Sequence, residues 1–393
     1  MYSLLLVIIY MAFISLGLPD SLLGSAWPVM HVEINAPISY AGIVSMIIAS
    51  GTIISSLLSD RLTRKIKVGL VTAISVLMTA VALFGFSISS SFIAICFWAV
   101  PYGLGAGAID AALNNYVAIH YKSRHMSWLH CFWGVGAAVS PYIMSYSLTR
   151  GHGWNHGYFL VSVIQIVLTV ILFLSLPIWK GRINELNGSN NTSDIENNSE
   201  PLGLKNILKI KGVKLVLITF FGYCALESTA GLWASSYLVE HRGVDPQVAA
   251  RFASLFYLGI TLGRFLSGFV SDKLGDKKLI RYGLIVIFFG IILLGFPGAS
   301  NITALSGLVV IGFGCAPVYP SVIHATPANF GEENSQAIIG IQMASAYTGT
   351  TFMPPLFGLI ASYINIGLYP LYLLIFVILM ILMSERLNRT LVL

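Results

Sequence analysis

The stretch "SLLSDRLTRK", Ser56–Lys65, returns 212 residues later as "GFVSDKLGDKK", Gly268–Lys278. Asp60 and Asp272 hold the same place in the two copies, and Gly51 and Gly263 share that separation. Each copy lies between two long apolar runs, so the duplicated object is half of the chain and not a short repeat unit. A carboxylate at a helix end, followed by Lys and Arg, can neutralise neighbouring cations and bind exposed helix termini. Asp60, Arg61 and Arg64 in the first copy, and Gly268, Asp272 and Lys273 in the second, therefore form a candidate ionic latch. The plainer reading is a generic basic loop; two copies at corresponding places favour the latch.

Outward from these loops the chain is membrane sequence. Of 393 residues 56% are hydrophobic and only 10% charged, where a soluble domain averages about a quarter charged. A bilayer core needs about 20 apolar residues per helix. Runs broken by polar punctuation predict twelve spans: 4–30, 38–59, 68–88, 91–119, 128–149, 154–178, 214–239, 246–271, 279–298, 302–325, 335–362 and 366–384. The expected fold is all-α and integral to the membrane, with two six-helix bundles. The first bundle takes 1–178 and the second 214–393. The Asn/Ser/Glu-rich, then basic, stretch 179–213 is the expected flexible linker. The apolar start is expected to be a retained helix and not a signal peptide.

Lys and Arg orient the chain. With a cytoplasmic N-terminus, four (Arg61, Arg64, Lys65, Lys67) fall in the loop between spans 2 and 3, and two (Lys122, Arg124) between spans 4 and 5. Six more fall in the linker counted with Lys214 at its edge, four (Lys273, Lys277, Lys278 and, at the start of span 9, Arg281) at the connection of spans 8 and 9, and two at the tail. That places eighteen of the 22 basic residues on one side, so both termini are expected in the cytoplasm. The net charge of +6 is thereby explained without nucleic acid. The Asn-X-Ser/Thr triplets at Asn190, Asn191 and Asn197 would be cytoplasmic and unglycosylated. Cys96, Cys131, Cys224 and Cys315 all lie in apolar runs without metal-ligand spacing, so neither a disulfide framework nor a zinc site is expected.

Three acids fall inside spans: Asp20 in span 1, Asp110 in span 4 and Glu227 in span 7. A carboxylate at the bilayer centre costs at least about 2.5–3.5 kcal/mol, and it usually faces a pathway or a partner. Burial brings its proton exchange toward neutral pH, as coupling to a proton gradient requires. The three are candidate proton-coupling groups; the alternative for each is a hydrogen-bonded acid that only fixes helix packing. In "GLGAGAIDAALNNYVAIHY", Gly103–Tyr121, Asp110 and Asn114 share a helical face, with Asn115 offset. Carboxyl and amides together suit a polyhydroxylated ligand or neighbouring helices equally. The glycines read as helix-packing positions and not as a nucleotide loop, since no strand precedes them.

Aligned with "GFGCAPVY" of span 10, Gly103 pairs with Gly312 and Asp110 with Tyr319: the duplication keeps the glycine and loses the acid. Further candidate solute contacts are His130 and Trp133 in span 5, Trp233 in span 7 and Gln342 in span 11, besides Asp20, Asp110, Asn114, Asn115, Glu227 and Tyr319. His130 either relays protons or hydrogen-bonds near the interface. The tryptophans either stack on a sugar ring or pack as membrane tryptophans do. Arg264 either snorkels or pairs with a buried acid. Pro354 and Pro355 are expected to break span 11.

The two loops resemble the Gly-X-Leu-Ala-Asp-Arg-X-Gly-Arg-Lys signature of the major facilitator superfamily, with Ser56 and Thr63 where the first copy would carry glycines. Several stretches further resemble its fucose-permease-like branch of fucose:proton symporters. These are "GLPDSLLGSAWPVM" (17–30), "IDAALNNYV" (109–117), "LHCFWGVGAAVSPY" (129–142), "GYCALESTAGLWASSYL" (222–238) and the block 312–358. The branch's Glu-Thr-Ala-Ala-Asn-Pro motif meets Asp110-Ala-Ala-Leu-Asn114-Asn115 here, with Asp for Glu and Asn for Pro. The resemblance implies two bundles around a midplane cavity, alternating access, Asp110 as the protonatable acid at the substrate, and Asp20 as the branch's span 1 acid.

The expected function is proton-coupled symport of a small sugar or related polar solute in a bacterial inner membrane. Its partners are solute, protons and lipid, with no cofactor, no metal and no nucleic acid; a monomer is expected. The alternative is a drug or metabolite/proton antiporter, since "GVGAAVSPY" is part of an antiporter motif but lacks its Gly-Pro-X-X-Gly-Gly ending. A sensor signalling through the linker lacks a recognisable signalling motif. An enzyme lacks a visible nucleophile, metal or phosphate constellation.

Overall fold

A computed structural model of the chain describes residues 2–37, 40–179, 203–244, 246–296 and 300–392. The helices are α1 (Tyr2–Asp20), α2 (Leu22–Glu33), α3 (Tyr40–Ile66), α4 (Val68–Ser87), α5 (Phe92–His120), α6 (Ser123–Thr149) and α7 (Gly153–Leu174). After the single turn α8 (Leu204–Ile207) come α9 (Val213–Glu240), α10 (Pro246–Leu274), α11 (Asp276–Gly295), α12 (Asn301–Phe330), α13 (Glu332–Ile360) and α14 (Tyr369–Val392). Among the described residues nine stretches are long and apolar enough to cross a bilayer. The last, Glu332–Leu391, contains both α13 and α14; α6 and α10 also have the length. With α1 and α2 as one span, each of the twelve expected spans has its helix, six in each half. The fold is that of an all-α, multi-pass membrane protein. The linker triplets at Asn190, Asn191 and Asn197 lie outside the described residues.

Contacts divide the chain into two compact units, residues 1–116 with 132–202 and residues 117–131 with 203–393. The stretch 117–131, from the end of α5 into the start of α6, groups with the second unit. In the first unit α4 pairs closely with α7; in the second, α11 and α10 pack on α12, and α13 and α14 pack on α9.

Span 1 is broken, where the sequence reading runs one helix through 4–30. Pro19 has no N–H for the Ser15 carbonyl, and in a membrane a freed carbonyl must find a donor inside the protein. Gln165 of α7 supplies it: its Nε2 donates to Ser15 O, and Ser15 Oγ donates to Gln165 Oε1 at 2.6 Å. Two residues after Pro19, Ser21 interrupts the helix and donates its hydroxyl to Ala137 O at 2.6 Å. Ala137 is the residue whose carbonyl Pro141 deprives of its helical partner. Two proline defects in α1 and α6 are thus repaired by polar side chains of other helices. Asp20 sits at the break.

Pro354 and Pro355 do not break their helix: α13 continues through them to Ile360 and ends in a π-turn, Ala361–Asn365. Proline's φ suits a helix, so the local loss is the missing N–H groups. The glycines of α5 act in packing. A Cβ at Gly103 or Gly107 would strike the backbone oxygen of Ile48 or Thr52 on α3, and one at Gly105 that of Ser75 on α4. Ser56 also donates to the Gly107 carbonyl at 3.2 Å. In the second unit Gly312 meets the Phe256 carbonyl in the same way.

Candidate functional site

In the first unit the break at Ser21 leaves Asp20 exposed. Two donors hold its carboxylate: Trp133 Nε1 of α6 at 2.8 Å and Tyr102 Oη of α5 at 3.1 Å. Of the tryptophans suggested by sequence, Trp133 is the one whose N–H reaches an acid. Tyr102 is absent from the sequence reading, although a tyrosine within an apolar helix calls for a partner for its hydroxyl.

Asp110 follows Tyr102 on α5 by about 12 Å of helix rise. It is buried, as are Asn114 and Asn115. Asn114 Nδ2 donates to Asp110 Oδ1 at 2.8 Å and to the Asp110 backbone carbonyl at 2.9 Å. The shared face inferred from the spacing of four is therefore a direct hydrogen bond.

In the second unit Arg264 of α10 is buried, and its Nη2 lies 3.6 Å from Glu227 Oε1 of α9. The guanidinium also stands 5.8 Å from the ring centre of Tyr319 on α12, a cation–π separation. The His130 ring meets Tyr319 edge-on at 4.7 Å, and Phe220 and Tyr223 surround it at 4.7 and 5.8 Å. The position aligned with Asp110 thus carries a tyrosine with a cation above it, inside an aromatic cluster. Tyr223 Oη donates to Cys315 O at 3.0 Å. Gln342 is fully buried; its Oε1 accepts from Thr326 at 3.1 Å, while its Nε2 has no hydrogen-bond partner among the described residues. Trp233 is engaged elsewhere, donating to Pro354 O at 2.9 Å and packing edge-on against Phe357.

The loop candidates separate in the same way. Asp60 pairs with Arg64 within α3 at 2.9 Å. Asp272 pairs with Arg124 at 2.6 Å, and Gly268 leaves room for the Trp128 ring. No cluster of metal-binding side chains occurs among the described residues. The structure therefore assembles two sets of polar groups: carboxylates with neutral donors in the first unit, and an acid–arginine pair among aromatics in the second.

Comparison with known proteins places this architecture. A profile of the Major Facilitator Superfamily matches residues 9–253 and 215–386. Bypass of stop codon protein 6 of Saccharomyces cerevisiae is 23% identical over 91% of this chain and 77% of its own length. The glucose/mannose transporter GlcP of Bacillus subtilis is 23% identical over 79% of this chain and 77% of its own length. The structure of the E. coli fucose:proton symporter FucP superposes with a TM-score of 0.77 at 15% identity, covering 98% of both chains. Twelve spans, a duplicated loop and a matching profile over nearly the whole chain make this protein a membrane transporter, not an enzyme, and a member of the major facilitator superfamily.

Proposed function

We propose that the protein is a proton-coupled symporter of a small sugar or related polar solute, working by alternating access. The observation that carries the reading is the hold on Asp20. Its carboxylate is exposed and bonded by an indole N–H and a phenol O–H, both neutral. Among the described residues no cation pairs with it, so a proton can join or leave it, and protonation removes one of the acceptors on which that hold depends. The similarity to GlcP and FucP supports a sugar as the solute.

In this reading Asp20 and Asp110 exchange protons and contact the solute. Asn114 and Asn115 orient it beside Asp110, and Trp133 offers a ring face. Glu227, with Arg264 beside it, and His130, Tyr319 and Gln342 are the solute contacts contributed by the second unit; Trp233 supports α13. The basic-residue distribution supports cytoplasmic termini; a bacterial inner membrane and a monomer complete the proposal.

The test is uptake of a panel of labelled sugars into proteoliposomes under an inward proton gradient. Wild type accumulates one of them; Asp110→Asn abolishes accumulation and retains solute exchange. If no sugar moves and cationic drugs are extruded, the antiporter reading replaces this one.

A further inference from the structure

The connection between α5 and α6, with the start of α6, is docked onto α10, α11 and α12, and one of its contacts has an unusual proton requirement. His324 of α12 places Nδ1 2.7 Å from Asp276 Oδ2 and Nε2 3.0 Å from the Tyr121 carbonyl oxygen. Ser123 Oγ donates to the other carboxylate oxygen, Asp276 Oδ1, at 2.6 Å. Beside this cluster Arg124 pairs with Asp272, and its backbone N–H reaches the same carboxylate at 3.4 Å. Trp128 donates to Phe265 O at 3.3 Å.

Both partners of the imidazole are oxygens. A neutral imidazole carries one N–H, and an ionised carboxylate only accepts. With Asp276 ionised and His324 neutral, one of the two contacts sets lone pair against lone pair. Both contacts become hydrogen bonds only when the pair holds one more proton, as imidazolium beside carboxylate. The charged groups that face it are Asp276 from α11 and Asp272 from α10, with Arg124 at the start of α6 engaged by Asp272. The two groups share that proton and titrate as one pair.

We infer that the Asp276–His324 pair is a second proton-binding site, separate from the acids of the spans, whose occupancy clamps residues 121–124 to α11 and α12. When the proton leaves, the Tyr121 carbonyl loses its donor and the clamp loosens. The inference holds whichever solute is carried.

Hydrogen–deuterium exchange on the full chain in lipid nanodiscs tests it, read as protection relative to the intrinsic rate at each pH. From pH about 5.5 to about 8.5, the range in which histidines titrate, amides of 121–128 should lose roughly tenfold in protection. His324→Gln and Asp276→Asn should each give a flat profile. Ser123→Ala should lower protection at every pH and keep its pH dependence, because it removes a donor without removing the titrating pair. A flat wild-type profile overturns the inference, and so does a titration that survives in His324→Gln or in Asp276→Asn. Either variant alone decides the outcome where the other does not fold.

Discussion

In the first copy of the repeated loop, Asp60 pairs with Arg64, four residues along the same helix, at 2.9 Å. In the second copy, Asp272 pairs with Arg124, 148 residues away in sequence, at 2.6 Å. The register shared by the copies explains the difference. The place of Thr63 is taken by Gly275 and the place of Arg64 by Asp276. Gly275 has φ +75° and ends α10 at Leu274, whereas α3 runs on to Ile66 and takes its positive φ at Lys67. An i,i+4 pair needs an unbroken helix and a cation at the second position. The first copy has both; the second has neither, and its added carboxylate starts a new helix instead. The same motif therefore serves as an internal brace in one unit and as a docking point for a distant segment in the other.

Five substitutions break or sharpen that contrast. The largest effect is expected from Asp272→Asn, which removes the charge that holds Arg124. Transport in proteoliposomes should fall roughly tenfold or more with solute affinity within about twofold, while Asp60→Asn should cost much less. Wild-type turnover in Asp272→Asn would remove the latch. Next comes Gly275→Ala, which forces a Cβ into a region that glycine alone occupies readily. Nothing crowds that Cβ, so thermal unfolding should read the conformational cost alone, about 1–3 kcal/mol.

Lys67→Gly is the mirror experiment. Lys67 sits at φ 66° and ψ 152°, so glycine there should stabilise the protein by about 1 kcal/mol. A lower melting temperature would show that the Lys67 side chain contributes more than its backbone costs. The smallest change is Arg64→Ala, an i,i+4 pair with the arginine 19% exposed, expected to cost about 0.5 kcal/mol or less.

Much of the fold was legible because membrane helices are written in local composition. Runs of about 20 apolar residues, the bias of Lys and Arg and the repeated loop are all visible without partners. The bond between Asp110 and Asn114 was legible for the same reason, since a spacing of four on a helix brings side chains together. The glycines of α5 also met close backbones, as small residues in spans do. Other features were hidden because they depend on what packs against them. Pro19 and Pro355 look alike as helix breakers, yet α1 ends beside one and α13 runs through the other. Tyr102 and Trp133 find Asp20 from helices 82 and 113 residues away in sequence, and His324 was not singled out at all.

The sequence by itself determined that this chain spans a membrane twelve times in two related halves, and that it carries three acids and a packing stripe of glycines within the spans. Hydropathy and helical spacing are properties of neighbouring residues, so no tertiary information was required. Tertiary structure alone decided which acid meets neutral donors, which meets an arginine, and which loop carboxylate receives a distant segment. Inside a bilayer every polar group must find its partner within the protein, and that partner is chosen by helix packing, not by distance along the chain.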